Sequence, residues 1–184
     1  MGTIIVSTDI YSSGRDAAAA ARAAFGGRGH YRAVRRRMPD GTWVGPHGAV
    51  DLAVLGLVSV PYAFGEPAHE RDQRLRALPE GAPGIVPTPV GEPQGLDTLE
   101  FFAACRLARP GTHLVADLEL LGHKLGQLCL SFGADELIGS IVEQRELRLG
   151  PRASSKDLTR KEAERMLVAA GLDPVERSQR EREA

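Results

Sequence analysis

The sequence contains very little cysteine. Cys105 and Cys129 are the only two among 184 residues, and both stand in apolar stretches. A disulfide framework or a cysteine-based zinc site requires more thiols at closer spacing. We therefore expect two buried structural thiols, and the sequence predicts no metal site.

A long apolar run and an imbalance of charge are also missing. No stretch approaches the roughly 20 apolar residues that a membrane-spanning helix needs, and no basic region precedes the short apolar stretch at the start of the chain. Lys and Arg number 23 and Asp and Glu 24, so the formal net charge is −1. Such a balance attracts neither nucleic acid nor a membrane surface. We expect a cytoplasmic protein with neither of them as its partner.

The composition is that of a globular protein. Hydrophobic residues make up 42% of the chain and charged residues 26%, which suffices for one hydrophobic core at this length. The sequence predicts a single α/β domain over residues 1–177. Residues 178–184 form a charged tail that we expect to fray.

Strand-like and helix-like patterns alternate along the chain, which predicts a mostly parallel sheet, either barrel-like or doubly wound. The predicted strands are 3–8, 49–60 and 113–116, a hairpin joins 31–38 to 42–44, and the predicted helices are 15–25, 66–77, 95–107, 118–129 and 158–170. Asp97 is the predicted N-cap of the third helix, and Gly171 the residue that follows the last. Five prolines within 79–93 predict a long irregular loop, because proline lacks a backbone donor.

The turn at residues 7–15 joins the first predicted strand to the first predicted helix. Backbone N–H groups and the helix dipole at such a turn can hold a phosphate. The residues that would assist are Ser12, Ser13, Gly14 and Arg15. The Walker pattern Gly-x4-Gly-Lys-Ser/Thr is absent, which removes the lysine that phosphoryl transfer needs. The turn is therefore either the anion site of a nucleotide-binding protein or an ordinary connection.

A group of arginines surrounds Tyr31. Its members are Arg28, Arg32, Arg35, Arg36 and Arg37. Such a cluster could dock on an acidic partner protein or on the backbone of RNA, and the alternative is a solvated basic face. Docking on an acidic partner protein would make the chain a protein-interaction module without enzymatic activity.

The second half of the chain, from Leu96 to Arg177, carries a recognisable order of motifs. They are the segments 95–99, 104–107, 121–127, 132–140, 158–162 and 170–177. In this order they resemble the C-terminal part of the radical S-adenosylmethionine (SAM) enzymes of the futalosine route to menaquinone, aminofutalosine synthase and dehypoxanthine futalosine cyclase. The related deazaflavin-forming synthases look similar.

The resemblance implies a fold and a site. It makes the later segments the last β/α units of a TIM-type barrel, and residues 55–61 and 85–89 shortened counterparts of earlier barrel strands. The turn at 132–140 would lie at the barrel mouth and face the substrate. Its ligand-facing residues would be Gly133, Asp135, Glu136 and Ser140. The alternative is that Asp135 only caps a following helix. At 184 residues we expect a partial or remodelled barrel.

The chain departs from that family in its cysteines. The family's [4Fe-4S] cluster depends on the motif Cys-x3-Cys-x2-Cys, which is absent here, so we expect no cluster cofactor and exclude a self-contained radical SAM reaction. The resemblance then implies a cluster-free relative that binds a related small molecule or assists a true radical SAM partner. Whether the chain is an enzyme stays open. An unpaired strand edge would favour a homo-oligomer.

Overall fold

The structure, a computed structural model, describes residues 27–33, 36–37, 43–45, 48–50, 56–142 and 158–177. In chain order the described elements are β1 (Arg28–Ala33), β2 (Arg36–Arg37), β3 (Trp43–Gly45), β4 (Gly48–Val50), β5 (Leu57–Tyr62), α1 (Ala68–Arg76), β6 (Gly84–Pro89), α2 (Gly95–Ala108), β7 (His113–Asp117), α3 (Leu118–Ser131), β8 (Glu136–Gly139), β9 (Ile141–Val142), β10 (Leu158–Thr159), α4 (Arg160–Ala169) and β11 (Asp173–Glu176). The predicted elements at 3–8 and 15–25 and the tail at 178–184 lie outside these ranges.

The main sheet has six strands in the order β11-β1-β8-β7-β6-β5, and every described pairing in it is parallel. The predicted α/β class with a mostly parallel sheet is confirmed. Over the described part of the chain no pairing joins β5 to β11, so this sheet is open. β2, β3 and β4 form a small antiparallel sheet, and β9 pairs with β10.

Helices cover one face of the main sheet. Alternate strand residues point to this layer, and they join the helices in one core of buried apolar side chains. The strands contribute Tyr31, Val60, Tyr62, Ile85, Leu114, Ala116 and Leu137, and the helices contribute Phe101, Phe102, Leu130 and Leu167 among others. Cys105 and Cys129 are buried free thiols in the same core, as predicted. Within the described ranges, no helix is long and apolar enough to cross a bilayer.

Helix ends follow local signals in the sequence. The side chain of Asp117 accepts hydrogen bonds from the N–H groups of Glu119 and Leu120 at 3.0 and 3.4 Å, which begins α3. That helix is interrupted at Gly122, whose φ of 70° and ψ of 164° are not helical. After α4, Gly171 has a φ of 77°, as expected for a residue that follows a helix.

The prediction of an irregular loop over residues 79–93 is wrong for residues 84–89, because these form strand β6. This strand pairs with β5 along its whole length but with β7 only at Gly84 and Ile85. Pro87 and Pro89 therefore lie beyond the ladder shared with β7, where their missing N–H groups cost little. The strand that the family resemblance implied here is present.

Three other boundaries differ from the prediction. Residues 49–60 are not one strand, because β4 belongs to the antiparallel sheet and β5 follows Gly56 with its positive φ of 66°. The hairpin is formed by 36–37 and 43–45, whereas 31–33 belong to β1. Asp97 is not the N-cap of α2, which begins after Gln94. Its carboxylate instead accepts a hydrogen bond from Arg71 of α1 at 2.6 Å.

We expect the substitution Thr159→Ala to lower the free energy of unfolding by about 1 kcal/mol. Thr159 and Glu162 form a capping box at the start of α4, in which each side chain accepts from the other residue's backbone N–H, at 3.3 and 2.9 Å. Urea unfolding followed by circular dichroism measures the loss. The control is Ser131→Ala at an exposed helix end, and an equal loss in both variants would contradict the capping role.

Candidate functional site

The face of the main sheet opposite the helices is called here the inner face. The strand register arranges its side chains in three rows from the amino to the carboxyl ends of the strands. The first row holds Leu57 and His113, the second Ser59, Val86, Val115, Glu136 and His30, and the third Asp117, Ile138 and Arg32. Thr88 contacts Ser59 with 2.6 Å between the two hydroxyl oxygens. Polar and charged side chains are thus mixed with apolar ones on this face, whereas the core opposite is largely apolar.

Glu136 is the centre of a buried ion group on the inner face. Its carboxylate is fully buried and pairs with Arg32 of β1. It also accepts a hydrogen bond from Nη1 of Arg177, just after β11, at 2.7 Å. Burial raises the pKa of Glu136, and the two guanidinium groups oppose that shift. A buried carboxylate needs such partners, because desolvation of an unpaired charge costs several kcal/mol.

Two histidines lie beside this ion group. The rings of His30 and His113 meet edge to face with 4.8 Å between their centroids. Nδ1 of His113 lies 3.1 Å from the carboxylate of Asp135. One ligand atom from each of His30, His113 and Glu136 lies within 4.8 Å of the others.

Asp135 and Gly133 lie at the amino end of β8, around the buried side chain of Arg106. Asp135 accepts a hydrogen bond from the N–H of Leu114 at 2.7 Å and lies 3.4 Å from Nη2 of Arg106. Arg106 also donates to the carbonyl oxygens of Gly133, Pro110 and Thr112 at 2.9, 2.9 and 2.8 Å. Burial lowers the pKa of Arg106, and the Asp135 carboxylate opposes that shift. Through these contacts Arg106 stabilises the turns that precede β7 and β8.

The four residues predicted to face a ligand are not brought together. Gly133 and Asp135 precede β8, Glu136 begins it, and Ser140 follows it, where its N–H donates to the Glu119 carboxylate at 3.0 Å. Four steps along an extended chain separate Glu136 from Ser140, a distance of about 13 Å. Only Ser140 lies at the carboxyl edge, the side on which barrel enzymes bind substrate. The element after Asp135 is a strand, so the alternative that Asp135 caps a helix is wrong. Ligand contact by these residues stays a prediction.

The arginine cluster does not form a single exposed surface. Arg28 is exposed, whereas Arg32 is 6% exposed and pairs with Glu136. Arg36 and Arg37 belong to the small antiparallel sheet, and Arg35 lies outside the described residues. The anion site predicted at Ser12, Ser13, Gly14 and Arg15 also lies outside them.

The cysteines present do not fit an iron–sulfur cluster. Cys105 belongs to α2 and Cys129 to α3, and both side chains are buried in the core between helices and sheet. Burial raises the pKa of both thiols, which opposes formation of the thiolate that iron requires. Two thiols also fall short of the three that the family's cluster needs.

No family model matches the sequence. Over 86 residues the chain is 34% identical to 5-amino-6-(D-ribitylamino)uracil–L-tyrosine 4-hydroxyphenyl transferase 1 of Methanosarcina barkeri, a match that covers 46% of this chain and 23% of that protein. Over 84 residues it is 31% identical to aminodeoxyfutalosine synthase of Thermus thermophilus, which covers 45% of this chain and 23% of that protein. The match spans less than a quarter of the length of either relative.

A solved structure shares the fold. The crystal structure of methylornithine synthase (PylB) superposes with a TM-score of 0.50 at 19% identity, over 69% of this chain and 42% of that one. At this identity the likeness concerns the fold alone. The partial sequence matches and the shared fold together support a radical SAM-like relationship for this chain.

Proposed function

We propose that the chain is a cluster-free relative of the radical SAM enzymes of the futalosine route to menaquinone, and that it binds a small molecule that carries a carboxylate at the carboxyl edge of its inner face. It does so either on its own or beside a radical SAM partner that carries the cluster. The observation behind this proposal is the pair of arginines, Arg32 and Arg177, next to each other on that face.

The position of the pair supports binding. Ligands of barrels and open parallel sheets lie at the carboxyl ends of the strands. Arg32 is the fifth residue of β1, and Arg177 follows the last residue of β11. Asp117 and Ser140 lie at the same edge, at the ends of β7 and β8. A ligand there would meet both charged and hydrogen-bonding groups.

The chemistry of Arg177 supports a ligand that carries a carboxylate. Its side chain is 17% exposed, so it is within reach of a small molecule. A guanidinium carries five N–H donors, and the hydrogen bond to Glu136 uses one of them. Arginine binds carboxylates and phosphates through two parallel hydrogen bonds. L-tyrosine and methylornithine, which appear in the names of two of the similar proteins, are amino acids and carry a carboxylate.

Binding of L-tyrosine and SAM by equilibrium dialysis tests the proposal. We expect at least one of the two to bind, and we expect Arg177→Met to weaken that binding about 10- to 100-fold, the usual effect of losing a charge-assisted hydrogen bond. Arg177 also pairs with buried Glu136, so circular dichroism must show that the variant is folded. The control is Arg76→Met, which removes an exposed arginine of α1.

Two results would contradict the proposed site. The first is that neither probe binds to the folded protein. The second is that Arg177→Met and Arg76→Met bind the probe equally well, which would place the ligand elsewhere. Native mass spectrometry of the purified protein adds a search for a retained small molecule of another kind.

A further inference from the structure

We propose that His30, His113 and Glu136 together bind one divalent transition-metal ion on the inner face. The three residues belong to β1, β7 and β8, three neighbouring strands of the sheet. The site lies nearer the amino ends of the strands than the ligand position proposed above and does not depend on it. The sequence predicted no metal site because it has only two cysteines. The ligands proposed here are instead two imidazoles and a carboxylate.

The separation of the ligand atoms suits a metal ion. One atom from each residue lies within 4.8 Å of the others. A zinc ion bound at about 2.1 Å holds its tetrahedral ligands roughly 3.4 Å apart. The site therefore has to contract by up to roughly 1.4 Å when the ion binds, through rotation of the histidine side chains. Both histidines are partly exposed, His113 with 13% of its side chain.

A second shell of hydrogen bonds around the three residues supports the site. Nδ1 of His113 lies 3.1 Å from Asp135, and we assign the other ring nitrogen, Nε2, as its metal ligand. Asp135 is itself held by the N–H of Leu114 at 2.7 Å. A histidine ligand whose second nitrogen bonds to a carboxylate is the common arrangement at protein metal sites, because the bond fixes the ring and makes it a better donor.

Glu136 can serve as a ligand while it stays paired with its arginines. Each carboxylate oxygen has two lone pairs, so an oxygen that accepts a hydrogen bond from Arg32 or Arg177 keeps one for a metal. Carboxylate ligands are usually oriented by such bonds. The two positive guanidinium groups weaken the binding of any cation, so the imidazole nitrogens have to supply most of the affinity.

The kind of ion follows from these ligands. Two nitrogens and one carboxylate favour zinc, cobalt, nickel or iron over magnesium and calcium, which prefer oxygen. Three protein ligands also leave a coordination position open. Sites of this composition hold a water molecule or a substrate oxygen in that position, whereas purely structural zinc sites use four protein ligands.

Titration of the chelator-treated protein with Co2+, followed by visible absorption and by competition with Zn2+, tests the site. We expect one ion per chain, no competition by Mg2+, and at least 100-fold weaker binding in His113→Ala. Asp135→Asn should weaken binding about 10- to 100-fold, the usual effect of losing an outer-shell partner. The matched control is His69→Ala, because His69 is exposed on α1. Circular dichroism checks folding, and His30→Gln replaces any variant that does not fold.

Three outcomes would overturn the metal site. They are the absence of bound Co2+ in the folded wild-type protein, equal affinity in His113→Ala and His69→Ala, and full displacement of Co2+ by Mg2+. The dialysis experiment with L-tyrosine and SAM is run on the chelator-treated protein. Loss of metal binding and loss of ligand binding therefore appear as separate results.

Discussion

Replacing Arg106 by methionine is expected to lower the free energy of unfolding by about 3–5 kcal/mol, the usual cost of removing one partner of a buried ion pair. The guanidinium is fully buried, pairs with Asp135, and bonds three backbone carbonyls in the turns before β7 and β8. Methionine fills a similar volume but leaves those carbonyls and the carboxylate without this donor. Urea unfolding followed by far-ultraviolet circular dichroism measures the difference.

Two further variants separate the loss of charge from the loss of packing. Arg76→Met removes an exposed arginine that pairs with Asp72 on the surface of α1, and its effect should stay within about 0.5 kcal/mol. Adding Asp135→Asn to Arg106→Met removes the stranded carboxylate and should restore part of the lost stability. A double variant that is as unstable as the sum of the two single variants would mean that Arg106 and Asp135 are not energetically coupled.

The helices of the second half could be predicted because their signals are local. Asp117 precedes α3 and caps it, and Gly171 ends the segment of α4 with a positive φ. β6 could not be recognised from composition, since its prolines are typical of a loop. Whether Pro87 is tolerated depends on how far β7 extends along β6, and that is a property of the assembled sheet.

The candidate site could be predicted only in part, for a similar reason. The family resemblance indicates Glu136, but the sequence around Glu136 does not indicate that Arg32, His30 and Arg177 are its neighbours in the fold. These residues lie next to Glu136 because β1 is placed between β8 and β11 in the sheet. A pairing between segments so distant in the sequence leaves no local pattern, although the alternation of His30 and Arg32 along one strand does place both on the same face.

Gly133→Ala is expected to lower the free energy of unfolding by about 3–5 kcal/mol, because backbone strain and overpacking add at this position. Gly133 has a φ of 106°, and an added Cβ would lie 2.7 Å from Cβ of Arg106, a part of the side chain that cannot swing away. Gly91→Ala is the matched control, since Gly91 has a φ of 87° with no atom within 4 Å of an added Cβ, so only strain of about 1–2 kcal/mol applies. Urea unfolding of the two variants measures both losses of free energy. Equal losses in the two variants would mean that glycine is required at position 133 for its backbone conformation alone. A larger loss in Gly133→Ala than in Gly91→Ala would mean that the close approach of Arg106 also requires it.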